Sequence, residues 1–325
     1  MSAFIARGHK NAHKLNFYSR HAFQRLLPAA WLRAHRESIM RQIDAMDEKE
    51  RFQVLWRINY YNKLESSFSV SDDATRIRDF KRGKSWAYYL DMLSILRFFP
   101  RDMRFHYQFG DITRVPSVPT FVKSRPVGEE NHNAVLLKLN RVRHYYMVND
   151  RVPFGAKESK VVWRGACHQP QRQRFIEGFH DHPLCNVGDV HRKAQGKPWH
   201  REFMSVADQL QYKFVLSIEG NDVATNLKWI MASNSLCFMT KPRYETWFME
   251  GALVPGHHFV ELKSDYSDLE EKIRYYTKHD AEAKAIIANA NDYVEQFKDE
   301  GKERLLNLAV MQKFFKKSNQ IDGVF

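Results

Sequence analysis

Residues 212–262, YKFVLSIEGNDVATNLKWIMASNSLCFMTKPRYETWFMEGALVPGHHFVEL, decide the fold class. Apolar runs alternate with polar hinges and predict strand, tight turn, helix, strand, helix, strand. Phe214 to Ile218 is short, continuous, apolar and partly β-branched, as in a strand buried on both faces. Glu219-Gly220-Asn221-Asp222 interrupts it. Asp222 has N-cap chemistry, and Leu227, Ile230 and Met231 follow at helical spacing. Ser235 to Met239 gives the next strand, closed by Lys241-Pro242. Such units build parallel sheets, whose ligands bind at the carboxyl ends of the strands, where helices begin. Gly220, Asp222, Val223, Ala224, Thr225 and Asn226 therefore fall on the rim of the expected site. A helix opening near Asp222 would aim free N–H groups and a positive dipole end at a phosphate there.

Length and composition bound the rest. At 325 residues the chain suffices for two domains, and 43% hydrophobic with 14% aromatic residues describes a globular protein. Lys plus Arg exceed Asp plus Glu by 51 to 38, a net charge of +13 that points to anionic partners: nucleotide phosphates, nucleic acid or an anionic membrane. A basic protein with no polyanion partner is the plain alternative. Cys167, Cys185 and Cys237 are too scattered for a disulfide framework, which suits a reducing compartment. The opening MSAFIARGHKNAHK lacks a signal peptide's apolar core, and no run approaches a membrane span of about 20 apolar residues. A cytoplasmic location is expected.

Upstream, residues 1–28 form a basic, weakly patterned arm, and Trp31–Met46 and Asp47–Leu64 predict helices. In the second, Asp47 and Glu50 have capping-box spacing, while Val54, Leu55, Ile58, Tyr61 and Leu64 line one face. Aromatic rings here can stack on a sugar, but helical spacing favours core packing. Ser85–Phe98 predicts another helix, ended by Pro100. Met103, Phe105, Tyr107 and Phe109 then alternate with Arg104, His106 and Gln108, the period of a half-buried strand. It ends at Gly110-Asp111 before a Pro-punctuated loop. Asp111 has a catalytic position, yet by residue type it reads as a turn former. Ser159–Trp163 predicts a strand running into Arg164-Gly165, Gln171–Phe179 a helix, and Pro183–Pro198 irregular structure. Ser267 and Glu270 form a second capping box, Ala281–Phe297 a helix, and 302–317 an amphipathic basic helix. Domains are expected at 1–155 and 156–300, with 301–325 as a terminal helix.

Arg164 suits either a bidentate grip on a diphosphate or a structural salt bridge. His168, His180, His182, His191 and His200 lie near Cys167 and Cys185, but their spacing matches no compact zinc set, and no metal site is expected. G-x-G-x-x-G, G-x-x-x-x-G-K-[ST] and G-x-S-x-G are all missing, against a dinucleotide fold, a P-loop NTPase and an α/β hydrolase.

KESKVVWRGAC (157–167) with Arg172 and Arg174, YKFVLSIEGNDVATNLKWIMASNSLCF (212–238), YETWFMEGALVPGHHFVELKSDYSDLEEKI (244–273) and FGDITRVPSVP (109–119) together resemble glycosyltransferase family 90. That family includes Rumi-type protein O-glucosyltransferases, capsule xylosyltransferases and bacterial lipopolysaccharide transferases, and the bacterial branch is the nearest match. The resemblance covers about residues 85–297 and is strongest from 157 onward. It implies an α/β fold of GT-B type, two Rossmann-like domains facing across a cleft, with the terminal helix packing back on the first. It also implies an inverting, metal-independent transfer from a UDP-sugar, with Asp111 as base. Leaving-group charge would fall on Arg164, Gly165, Val223 to Asn226 and Lys228. Eukaryotic relatives carry arginines at the positions of Glu219 and Asn226, which redistributes those contacts. Glu245 would hold the ribose hydroxyls, or else be a helix-surface carboxylate. The expected partners are a UDP-sugar, a lipid-linked lipopolysaccharide core acceptor and the anionic inner membrane face, with no cofactor and no nucleic acid. Alternatives are a protein or capsule acceptor, a phospho-sugar or polyol-phosphate donor, or nucleic-acid binding through the basic excess.

Overall fold

The computed structural model describes residues 15–22 and 26–321. The arm expected over 1–28 lies largely outside them, and its residues 15–22 are helical. The principal elements are helices α1 (Ala29–Asp44) and α2 (Glu48–Tyr61), strand β1 (Thr75–Arg76), helix α3 (Trp86–Leu96) and strands β2 (Arg104–Gln108), β3 (Thr120–Val122), β4 (Ser124–Pro126) and β5 (Ala134–Leu136). Then come β6 (Glu158–Gly165), α4 (Pro170–Phe179), β7 (Cys185–Asp189), α5 (Val206–Gln209), β8 (Tyr212–Ser217), α6 (Leu227–Met231), β9 (Leu236–Thr240), β10 (Tyr244–Thr246) and β11 (Val260–Leu262). Helices α7 (Leu269–Lys278), α8 (Asp280–Glu295) and α9 (Glu300–Lys317) follow.

These elements form two compact units. Arg143–Arg243 with Met249–Gln296 make one, and the described parts of Lys14–Val142, Tyr244–Phe248 and Phe297–Phe325 make the other. The breaks at 142/143 and 296/297 stand beside the expected ones at 155/156 and 300/301.

The first of these is the five-stranded unit, a parallel sheet in the order β11-β9-β8-β6-β7. Its first strand, β6, is flanked by the second, β7, and the third, β8, the flavodoxin-like order 2-1-3-4-5. Val161, Val162, Phe214, Val215, Leu216, Leu236 and Phe238 are all buried, which the continuous apolar runs predicted. Three expectations fail. The helix after Gly220 begins at Leu227, not near Asp222, and its N-cap is Asn226. Asn226 donates to the Leu216 carbonyl (2.9 Å) and accepts from the Ser217 hydroxyl (3.3 Å), so its side chain ties the strand end down. The polar and β-branched residues before it stay in a loop, as their weak helix propensity allows. Residues 244–252 are not a helix: Tyr244–Thr246 pairs with β4, and Glu250–Ala252 is a single 3-10 turn. Tertiary pairing overrides local preference there. Strand β7 lies inside the stretch expected to be irregular, because Cys-Asn-Val-Gly-Asp carries no apolar run.

In the four-stranded unit the sheet runs β1-β2-β3-β5, with β2, β3 and β5 parallel and β1 antiparallel at the edge. Alternation along β2 is as expected: Met103 and Phe105 are buried, and Arg104 and His106 half-buried. Asp47 caps α2 by accepting from the Glu50 N–H (2.8 Å). The inner face of α2 buries Val54, Arg57, Ile58 and Tyr61, and Tyr61 stacks on Trp247 at 3.7 Å and 9°. Trp56, however, is 45% exposed, so that ring is not core. Helix α9 packs on α2 and is enclosed, with Leu305, Leu306, Leu308, Val310, Met311, Phe314 and Phe315 all buried. It is a core helix of this unit along its apolar faces, while Arg304 stays exposed and Lys313, Lys316 and Lys317 half-buried.

Glu303 of α9 fixes that packing. Its carboxylate accepts from Arg57 (2.6 Å), Lys138 (2.6 Å) and the Trp247 indole N–H (2.7 Å). Burial by itself would lower the Arg57 pKa, but Tyr61 and Glu303 raise it. Removing one member of such a buried set leaves charges without partners, at a cost of about 3–5 kcal/mol. Glu303→Ala should therefore lower the unfolding free energy by about that much in urea titration. A loss under about 1 kcal/mol, the range of an exposed pair, would show that the carboxylate does not hold the helix.

Candidate functional site

In a sheet of order 2-1-3-4-5 the crossovers leaving β6 and leaving β8 lie on opposite faces, so the loops at their carboxyl ends part and leave a crevice. Here those loops hold Gly165 to Gln169 and Ile218 to Asn226. The Trp163-Arg164-Gly165 sequence has a local explanation. The Trp163 indole folds over Gly165, where an added Cβ would come within 2.4 Å of the ring. Arg164 turns outward along β7 and donates to the Asn186 carbonyl (2.7 Å) and side-chain oxygen (2.6 Å). Burial lowers its pKa from the usual guanidinium value. Its partners are all neutral oxygens, so the structural salt bridge, one of the two roles open to it, is not formed among the described residues.

Helix α4 holds the two loops in place. Its Arg172 lies over the Trp163 ring (5.7 Å) and donates to the carbonyls of Ala166 (3.2 Å), Ile218 (2.8 Å) and Glu219 (3.0 Å). Gln171 donates to the Gly220 carbonyl (2.8 Å), and Gln169 to the Asn221 side chain (3.0 Å). A Cβ at Gly220 would press on the Arg172 guanidinium at 3.3 Å, so glycine suits the close approach. The Glu219 carboxylate turns to Arg243, accepting from its Nε (2.8 Å) and backbone N–H (2.9 Å).

The structure thus gathers Gly165 and Gly220 to Asn226 along one sheet edge, whereas the Arg164 side chain leaves it for Asn186 of β7, the partner of Val162 two residues back along β6. Gly165, Gly220, Thr225 and Asn226 are half-buried there, while Asp222, Val223 and Ala224 are buried beneath. Helix α6 is only five residues long, so the strong dipole expected of a helix opening at Asp222 is missing. Lys228 does not reach the edge: it is fully buried and paired with Glu250 at 2.5 Å. Nor is Glu245 a helix-surface group. It lies on β10 in the four-stranded unit, 2% exposed, paired with Arg125 (2.7 Å) and accepting from the Tyr60 hydroxyl.

Asp111 also belongs to the four-stranded unit. Gly110, at φ +114°, makes the turn after β2, which leaves the Asp111 carboxylate free of that task. The carboxylate is 34% exposed and bound at 2.7 Å by Lys123, whose side chain is 3% exposed. Ser124 accepts from the Ile112 N–H (3.1 Å), so the loop is pinned at the carboxyl ends of β2 and β3. Sequence reading missed Lys123, Ser124, Gln171 and Asn186. For Lys123 a signal existed, a lone lysine inside the apolar run Thr-Phe-Val-Lys-Ser.

Beside the crevice a hollow of about 260 Å³ is lined by Cys167, His168, Glu177, Asp189, His191 and Trp199, among others. The His168 and His191 rings meet edge to face at 4.3 Å. Burial, with Asp189 nearby, pushes the Cys167 thiol up to about 12, so no thiolate stands there at neutral pH. Among the described residues no three His, Cys, Asp or Glu side chains are placed as a metal set.

Known proteins match this sequence. The profile of glycosyl transferase family 90 matches residues 133–301, which include β6, β8 and both crevice loops. The chain is 50% identical over 307 residues to O-glucosyltransferase LpsA of Dichelobacter nodosus, covering 94% of this chain and 96% of that protein. It is 35% identical over 137 residues to protein O-glucosyltransferase 2 of Danio rerio, and 28% over 139 residues to protein O-glucosyltransferase 3 of Homo sapiens. Those two matches cover 40% of this chain but only 27% and 26% of the animal proteins. With a family profile spanning half of its length and a relative matched nearly end to end, the chain belongs to glycosyl transferase family 90.

Proposed function

We propose that the chain is an inverting, metal-independent glycosyltransferase of GT-B organisation. It moves a hexose from a UDP-sugar to a lipopolysaccharide or lipooligosaccharide core acceptor at the inner face of the cytoplasmic membrane. The observation that carries this reading is the crevice at the β6/β8 switch point, edged by half-buried Gly165 and Gly220. Parallel sheets bind nucleotides in such crevices. Arg164, whose partners are neutral oxygens, can exchange them for a diphosphate by turning from β7. The name of the bacterial relative favours glucose as the hexose.

In this mechanism Asp111 accepts the proton of the acceptor hydroxyl. The freed oxygen attacks the anomeric carbon from the face opposite the diphosphate, the bond to the diphosphate oxygen breaks, and UDP leaves with the electron pair. Lys123 holds the carboxylate in one position through its 2.7 Å contact. Arg164 and the backbone N–H groups of Val223 to Asn226 take up the negative charge of the departing UDP. Lys228 and Glu245 have no part in it, since each is closed in a buried ion pair. A protein acceptor is the second reading, favoured by the animal relatives' names.

Asp111→Asn should lower kcat by roughly 10²–10⁴ with UDP binding unchanged, the contribution of a positioned base. Turnover of a genuine acceptor at the wild-type rate removes Asp111 from the mechanism. Arg164→Ala should weaken UDP in calorimetry by roughly 10–100-fold, the loss of a hydrogen-bonded charge. Asn186→Ala, which releases only the anchor, should weaken it less; equal affinity of Arg164→Ala and wild type would take Arg164 out of the donor site. Turnover should survive EDTA, and its loss with rescue by a divalent cation would overturn metal independence.

A further inference from the structure

Helix α2 has an outer face that the core does not use. Its inner face is closed, with Val54, Ile58 and Tyr61 at 0–1% exposure, whereas Phe52 is 70% and Trp56 45% exposed. These two rings lie four residues apart and so project one above the other, about 6 Å along the helix. Tyr60, one turn on, continues the row with its ring 5.3 Å from that of Trp56. At one end Lys49 is exposed beside exposed Glu48, which lies four residues before Phe52; at the other, half-buried Lys63 donates to the Gly128 carbonyl (3.1 Å) and lies 5.9 Å from the Tyr60 ring. Of the other nearby acids, Glu50 is taken by Lys302 at 3.0 Å, Asp44 lies 3.5 Å from Arg51, and Asp47 caps the helix. Helix α1, which packs on α2, adds exposed Trp31.

We infer that this face, Phe52 and Trp56 with flanking Lys49 and Lys63, seats the protein on an anionic lipid bilayer; the inference rests on the proposal that the acceptor is lipid-linked. Amphipathic aromatic rings flanked by lysines are the chemistry of a membrane interface, where rings sit at headgroup level and cations meet anionic lipid. Charge complementarity with such a surface is general, at +13 over the chain. Of thirteen exposed large hydrophobic residues among the described ones, eight fall between Leu15 and Trp86, so this part of the four-stranded unit holds most of the apolar exposure described. The face is the outside of a helix and lines neither the hollow at Cys167 nor another lined by Tyr18, His21, Ala22, Trp86 and Leu90, which argues for a broad surface over a small ligand. The basic terminal helix has its apolar residues enclosed in the core.

The test is flotation of the full chain with phosphatidylcholine vesicles, with and without phosphatidylglycerol. The proteins are wild type, Phe52→Ser/Trp56→Ser and Lys49→Gln, with UDP affinity and thermal midpoint measured on each. Wild type should float with the anionic vesicles at low salt. Removing the rings should lower its partition about tenfold for each, and Lys49→Gln about fivefold, with UDP affinity and midpoint unchanged. Failure of wild type to float with either vesicle overturns the membrane contact while leaving the donor site intact. Equal flotation of the double variant and wild type keeps a membrane contact but overturns this face. Wild type dimerising in solution while the double variant stays monomeric would make the face a contact between copies. Loss of soluble core oligosaccharide binding without loss of flotation would make it a glycan platform. Both outcomes overturn the proposal.

Discussion

Two adjacent parallel strands, β6 and β8, share a ladder but send their chains to opposite faces of the sheet, and everything at the candidate site depends on that parting. The ladder itself is ordinary, with Val161 and Val162 facing Phe214 and Val215 in register. What is specific is how the open ends are kept apart and kept still. Arg172 does this by donating to three carbonyls that the strands leave unpaired, two on one lip and one on the other. A guanidinium is the group for that task, because its rigid fork holds several donors in one plane. Trp163 supplies the floor on which it rests, and Gly165 and Gly220 supply the clearance.

The four-stranded unit is held by a different device, buried charge. Glu303 gathers Arg57, Lys138 and Trp247, while Arg125, fully buried, takes Glu245 together with the carbonyls of Tyr60, Tyr61 and Ala134. Interior ion pairs of this sort add little net stability relative to apolar packing, because desolvation offsets most of the attraction. Their effect is selective: only one arrangement of α2, α9 and β10 satisfies every charge. The small strands of this unit, three residues each in β3, β4 and β5, specify little register by themselves. Polar contacts that tolerate no slippage take over that role.

Much of this was legible in the sequence, for reasons that differ by element. Strands β6, β8 and β9 were plain because a strand covered on both faces must be apolar throughout, and β2 because one covered on a single face must alternate. Helix boundaries for α1, α2, α3 and α4 followed from periodicity and from Pro or Asp at their ends. Three kinds of feature could not be read. Strand β7 is made of Cys, Asn, Val, Gly and Asp, and exists because β6 offers it an edge. Strand β10 owes its form to β4, 120 positions away in the pairing of Glu245 with Arg125. The partners of charged residues are also invisible locally: nothing about Lys228 announces that Glu250 will enclose it, or about Asp111 that Lys123 will hold it. For the candidate site, the loop residues were found from local pattern, and the side chains that brace them, Gln171 and Asn186, were not.

The chain enters the five-stranded unit at Arg143, leaves after Arg243, returns at Met249 and leaves finally after Gln296. During synthesis the ribosome delivers the residues of the four-stranded unit first and last, since its sheet precedes residue 143 and α9 follows residue 299. Val54, Ile58 and Phe121 must therefore wait, uncovered, while more than a hundred and fifty residues are added before Leu306 and Phe314 arrive. The parallel sheet of the other unit needs nothing beyond Gln296, so its set of residues is complete sooner. A nascent chain stalled before α9 would thus display an open apolar surface, the kind that chaperones bind and that aggregation exploits.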